Sequence, residues 1–137
     1  MKDEELIQKA WLKLIDENED VFDEVSDDLR EVEVKVTPRY VINFDKTKAG
    51  LADTKLDENG FPYATFGTDV LDLPLDDILD VLLHEMAHCA VAIEYGTLFK
   101  PENGGHNDAW HWYVDMLNDK GHHIVEVGDK YKKYLSL

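Results

Sequence analysis

The sequence predicts an α+β fold in which one small, mainly antiparallel sheet packs on a long buried helix. Three observations predict it: helical periodicity at the start of the chain, alternation of apolar and polar residues in the middle, and a long apolar segment without breakers after residue 74. The chain has 137 residues and contains neither a repeat nor a Pro/Gly/Ser-rich linker. We therefore expect residues 1–137 to form a single domain.

The first third of the chain predicts two helices. Apolar residues recur on one helical stripe, and Asp3 is the expected N-cap of this helix. A second, shorter pattern of the same period predicts another helix before residue 30. The two apolar sets are Leu6, Ile7, Ala10, Trp11, Leu14 and Ile15, and then Val21, Phe22, Val25 and Leu29.

The middle of the chain predicts strands. Apolar residues alternate over residues 32–36 and 40–44, on either side of Pro38. A further extended stretch runs from Ala49-Gly50 to Leu56, and the turn signal Asp57-Glu58-Asn59-Gly60 follows it. Residues 61–70 are rich in aromatic and β-branched types and predict the return strand.

The longest predicted helix begins after Pro74 and ends at Gly96. Asp76 and Asp77 suit its positive N-terminal end. Nearly every position beyond the first turn is apolar, which is typical of a buried helix. A loop rich in Gly, Pro and Asn follows over residues 96–105, then a helix over residues 107–118 and a short strand over residues 124–127.

Three polar residues interrupt the buried helix, and they form the pattern H-E-x-x-H: His84, Glu85 and His88. Residues four apart lie one turn apart on the same helix face, so both imidazoles can reach one Zn²⁺ ion. Glu85 lies beside that ion, where a carboxylate can take a proton from an activated water and later give it to a leaving amine. The pattern therefore predicts a zinc site with a glutamate general base.

A zinc site of this type needs a third protein ligand. The loop after residue 96 is long enough to bring the chain back, and His106 lies where the last helix begins. His111 lies about 140° further round that helix, so the two histidines cannot easily face one ion together. His106, His111 and Glu102 are the candidates that these considerations leave open. His122 and His123 follow Gly121 in a predicted turn, where we expect them to be exposed.

The composition excludes several functions. Asp and Glu number 30 against 14 Lys and Arg, a net charge of −16, which opposes strong nucleic-acid binding and favours a basic protein partner. No apolar run has the ~20 residues of a membrane span. The one cysteine, Cys89, excludes an internal disulfide and fits a reducing, cytoplasmic setting. We expect Cys89 to be a small buried residue.

Two segments resemble the SprT-like (Spartan-type) zinc metallopeptidase domain: residues 81–89, which contain H-E-M-A-H, and residues 104–117, which contain Gly105-His106 and an aromatic helix. The resemblance implies a zincin-like fold and assigns His106 as the third ligand. Asn107 departs from the family, which usually has Gly there. The chain also lacks a Cys-x-x-Cys zinc ribbon, so the resemblance supports the peptidase site better than a role at DNA. It is consistent with a bacterial or phage origin.

These inferences predict a zinc-dependent metallopeptidase. His84, His88 and His106 would bind Zn²⁺, and Glu85 would be the general base for hydrolysis of a polypeptide substrate. By resemblance, the strand at residues 61–70 is where an extended substrate would pair. Two alternatives stay open: an acidic interaction module or DNA mimic that contains a metal but does not catalyse, and a regulatory metallopeptidase that cleaves a repressor.

Overall fold

The computed structural model describes residues 2–38 and 51–134. Helices and strands alternate only in part along this chain, as expected for the α+β class. Short 3₁₀ turns join several elements, among them Thr68–Asp72 and Glu102–Gly105. The elements are α1 (Lys2–Glu17), α2 (Glu19–Phe22), α3 (Ser26–Arg30), β1 (Glu33–Thr37), β2 (Ala52–Leu56), β3 (Pro62–Gly67), α4 (Leu75–Tyr95) and α5 (Asp108–Asp119).

The three described strands form one mixed sheet in the order β1-β3-β2. β3 pairs in parallel with β1 and antiparallel with β2. The β2–β3 connection is the predicted turn: Asp57 Oδ1 accepts hydrogen bonds from the backbone N–H groups of Asn59 and Phe61, and Gly60 has a φ of 81°. The sheet is therefore mixed, because β1 reaches its partner through a long connection rather than a hairpin. The predicted strand at residues 40–44 lies outside the described residues.

Helix α4 is the centre of the fold. It contacts β2, β3, α1, α3 and α5, and its buried residues join one continuous core. Trp11 of α1 is fully buried there and donates its indole N–H to the carbonyl of Leu29 at 3.0 Å. The predicted class, a small sheet on a buried helix, is confirmed, but the described sheet is mixed rather than mainly antiparallel. Because α4 is packed from several sides, polar groups on it need partners inside the protein.

Several predicted details are wrong. Asp3 lies inside the first turn of α1, which already begins at Lys2, so it favours the helix dipole rather than capping it. The return strand stops at Gly67, and residues 68–72 form a 3₁₀ turn instead. Residues 124–127 are irregular, because the polar groups of residue 124 bond to a side chain rather than to a strand. None of the helices in the described ranges is long and apolar enough to span a membrane.

Candidate metal centre

Helix α4 supplies two histidines one turn apart. His88 is buried and His84 is half-buried, and their ring centroids lie 5.1 Å apart. The helix continues unbroken to Tyr95, and Gly96 ends it with a φ of 74°. The two rings are therefore fixed by a rigid, packed element rather than by a loop.

The loop after α4 supplies the third histidine. A 3₁₀ turn over Glu102–Gly105 has left-handed backbone at Asn103, Gly104 and Gly105. A Cβ atom at Gly105 would lie 3.1 Å from the carbonyl oxygen of Leu98 and 3.2 Å from Cε1 of His88, so only glycine lets the loop approach this closely. This approach places His106 immediately beside α4.

Asn107, which departs from the Gly usual in the family, has a defined role in this loop. It is the N-cap of α5, and its side-chain oxygen accepts a hydrogen bond from the backbone N–H of Trp110 at 3.2 Å. The residue that follows the third histidine therefore starts the next helix and fixes where the loop ends.

The structure brings the three predicted histidines together. One nitrogen from each of His84, His88 and His106 lies within 4.8 Å of the other two, and Nε2 of His106 is 3.1 Å from Nε2 of His84. The indole of Trp110 lies against all three rings, with centroid distances of 4.6–5.6 Å. The other two candidates are not in this cluster: His111 bonds Glu126 at 2.5 Å, and Glu102 is exposed.

The chemistry of these histidines fits a metal ion. Burial is the main cause that lowers their pKa values, to about 4 for His84, about 2 for His88 and about 4 for His106. Neutral imidazoles keep a lone pair on one nitrogen, which is the form that binds a metal. Three such neutral nitrogens converge here, and together they could hold one metal ion.

A backbone carbonyl fixes the ring of His84. Nδ1 of His84 lies 2.8 Å from the oxygen of Val125, and because a carbonyl only accepts, this nitrogen carries the proton. The lone pair of His84 is therefore on Nε2, the atom that faces His106. Trp110 also bonds this residue, since its indole N–H donates to the carbonyl oxygen of His84 at 3.2 Å. Partners of this kind orient ligands in metal sites.

The residues just before Val125 are anchored to α5 and to α4. Asn118 accepts from the N–H of Ile124 at 2.8 Å and donates to its carbonyl at 3.2 Å. The buried carboxylate of Asp80 accepts from Nδ1 of His122 at 3.1 Å. The prediction that His122 is exposed is wrong, because it is half-buried against α4; His123 is exposed as expected.

Glu85 is buried beside the histidines. Its Oε1 accepts a hydrogen bond from the Thr54 hydroxyl at 2.8 Å, and its Oε2 lies 3.7 Å from Nε2 of His84. Burial is the main cause that raises the pKa of Glu85 to about 8, and the hydrogen bond from Thr54 opposes this rise. A carboxylate with a pKa near neutrality can both accept and return a proton.

Neither Thr54 nor the carbonyl of Val125 is among the groups that the sequence predicts for the site. A signal for Thr54 exists, because period 2 places it on the same face as Ala52 and Leu56, where a hydroxyl needs a partner. A backbone carbonyl leaves no signal in the residue types. Cys89 is buried as predicted, and burial raises the pKa of its thiol.

Comparison with known proteins identifies the family of the chain. A model of the SprT-like family matches residues 13–129 of the chain. The chain belongs to the SprT-like family. The matched residues include α4, the loop and α5, and thus all three histidines and Glu85. Neither the curated proteins nor the solved structures contain a match to this SprT-like chain.

Proposed function

We propose that this SprT-like chain is a zinc-dependent metallopeptidase. The observation that carries the proposal is the convergence of three imidazole nitrogens within 4.8 Å, with the carboxylate of Glu85 beside them. His84, His88 and His106 would hold the ion. A set of three neutral nitrogen ligands suits zinc and leaves a fourth position open, as catalytic zinc sites require. A structural zinc site usually has four protein ligands instead.

Zinc bound there would supply Lewis acidity, which polarises a peptide carbonyl and makes water more acidic. Glu85 performs the proton transfers: Oε2 faces the histidines and can take a proton from the attacking water, then deliver it to the leaving nitrogen. Trp110 is fully buried and packs against the three rings, which holds the ligands in position. Together these groups support hydrolysis of an amide bond.

The prediction that a substrate pairs with the strand at residues 61–70 is wrong. β3, which forms most of the segment at residues 61–70, has β1 on one side and β2 on the other, so neither edge of it can pair with a substrate. β2 lies at the end of this strand order and contributes Thr54 to the site. We therefore propose β2 as the strand beside which an extended polypeptide binds.

The charge of the chain narrows the proposed substrates and partners. A net charge of −16 repels anionic polymers and attracts cationic ones. Basic or neutral polypeptides are therefore the proposed substrates, a basic protein is the proposed partner, and strong intrinsic binding to nucleic acid is not expected. Submicromolar affinity for DNA that falls steeply with salt would contradict this part of the proposal.

Glu85→Gln tests the function. We expect the variant to keep one zinc per chain, measured by elemental analysis, and to lose hydrolysis of a dye-labelled unfolded basic protein by at least about 100-fold. Glu102→Gln is the matched control, because Glu102 is exposed in the neighbouring loop, and it should keep wild-type activity.

Two outcomes would count against the proposal. Protein prepared without chelator that contains no stoichiometric metal would contradict the ligand set. Zinc-loaded wild type and Glu85→Gln that are equally inactive on basic, neutral and crosslinked polypeptides would instead favour a metal-containing interaction module.

A further inference from the structure

The Thr54 hydroxyl contacts the carboxylate that the proposed function uses as its base. Thr54 is 1 % exposed, and its Oγ1 lies 2.8 Å from Oε1 of Glu85 and 3.4 Å from the backbone oxygen of the same residue. A hydroxyl has one proton to donate, and the shorter contact to the carboxylate receives it. Glu85 is itself buried, so this hydrogen bond is an internal one that water does not easily replace.

The backbone of Thr54 is held firmly. Its Cα pairs with that of Ala64 in the antiparallel β2–β3 ladder. On the loop side, Nζ of Lys100 lies 3.1 Å from the carbonyl oxygen of Thr54 and 3.1 Å from Oδ1 of Asp53. β-branching further restricts the rotamers of the side chain. The hydroxyl therefore presents a fixed donor to α4.

This fixed donor distinguishes the two oxygens of Glu85. Oε1 is held by Thr54, and Oε2 is left 3.7 Å from Nε2 of His84, on the side of the three histidines. Tilting the carboxylate plane away from this orientation would break the hydrogen bond to Thr54, whereas a half turn only exchanges two equivalent oxygens. One contact on the sheet thus fixes the plane of the carboxylate and keeps one of its oxygens facing the site.

We propose that Thr54 is a positioning residue that orients the carboxylate of Glu85 toward the three histidines. This inference rests on the proposed function for its effect on rate, but the orientation itself does not depend on activity. It also gives the sheet a part in the site beyond packing, since one strand position sets the geometry of the base on the helix.

Thr54→Val and Thr54→Ser form the test. Valine keeps the shape and removes the donor, whereas serine keeps the donor and removes the methyl group. We expect kcat to fall about 10- to 100-fold in the valine variant, with KM within about twofold, and to recover in the serine variant to within about threefold of wild type. Zinc content should stay at one per chain in both. Thr65→Val is the control, because Thr65 is a partly buried threonine on the neighbouring strand.

A second readout does not require activity. In protein labelled with ¹³C-glutamate, the carboxyl resonance of Glu85 is assigned by its loss in Glu85→Gln. It should move in Thr54→Val and stay near its wild-type position in Thr54→Ser. If Thr54→Val does not fold, Thr54→Ala replaces it in both measurements.

The outcomes test the positioning role of Thr54 separately from the proposed peptidase function. A valine variant with wild-type kcat, or a serine variant as impaired as valine, overturns the positioning role. If wild type hydrolyses nothing, the proposed function fails, and the resonance alone decides the orientation: a shift confined to valine supports it, and an unmoved resonance overturns it.

Discussion

His106→Ala should remove most of the stabilisation that zinc gives the fold. His106 lies in the loop and is only partly buried, so its removal leaves a smaller void than removal of the buried His88. Its Nε2 lies 3.1 Å from Nε2 of His84, so a shared ion would join the loop to α4 through this pair. The variant thus separates loss of a ligand from loss of core packing.

The expected size of the zinc-induced rise in Tm follows from mass action. Free Zn²⁺ at 100 times its Kd adds about 2.7 kcal/mol to the unfolding free energy. A chain of 137 residues has an unfolding entropy of roughly 0.29 kcal/mol per kelvin, so Tm should rise by about 9 °C. If loss of one of three ligands weakens binding at least 100-fold, the same zinc concentration adds only about 0.4 kcal/mol, or about 1 °C.

The assay is thermal unfolding by circular dichroism with chelator and with defined free zinc. Wild type and Glu85→Gln should show the full rise in Tm, and His106→Ala should not, while its apo Tm stays close to that of wild type. Glu102→Ala is the matched control, since Glu102 is exposed in the same loop and is not in the histidine cluster. A full zinc effect in His106→Ala, or its loss in Glu102→Ala, would refute the assignment of the third ligand.

Two further predictions concern the segment that orients His84. Asn118→Ala removes both hydrogen bonds to residue 124 and loosens the carbonyl that fixes the His84 ring, so zinc affinity should fall about 10-fold in a chelator competition titration. Asn59→Ala, in the exposed β2–β3 turn, is the control, and equal affinities of Asn118→Ala and wild type would contradict the idea. Asp80→Asn tests the buried carboxylate of Asp80. Burial away from water raises the pKa of this group from its ordinary value of 3.8. The stability that this carboxyl group contributes is greatest below pH 3.8 and is lost as pH rises through its folded pKa, so urea unfolding should show Asp80→Asn gaining on wild type between pH 4 and pH 7. A constant difference between the two proteins across that range would show the assigned direction to be wrong.

The sequence predicts the helical part of the site well. An unbroken apolar segment with Gly96 after it defines α4, and the spacing of His84 and His88 follows directly from helix geometry. Residue types also indicate the loop, because Gly104 and Gly105 adopt positive φ. The choice of His106 over His111 needed the family resemblance, and the cluster in the structure agrees with it.

The long-range parts could not be predicted. The parallel pairing of β1 with β3 depends on a connection between distant segments, which alternation alone does not reveal. The same holds for Thr54 and Glu85, which are 31 positions apart, and for His84 and Val125, which are 41 apart. Such pairs form only after the sheet and the last segment pack on α4, so local propensity carries little information about them.

The shared ion would also change the connectivity of the fold. It would join His84 to a residue 22 positions further along, and so would cross-link the chain in the way that a disulfide does. The closed loop would contain the second half of α4 and the whole glycine-rich loop, but neither α1 nor the sheet. Loss of metal would therefore increase local opening first in that loop, where residues 96–107 contain no regular structure beyond a short 3₁₀ turn. In this family member, metal occupancy and access to the site would be two aspects of the same local equilibrium.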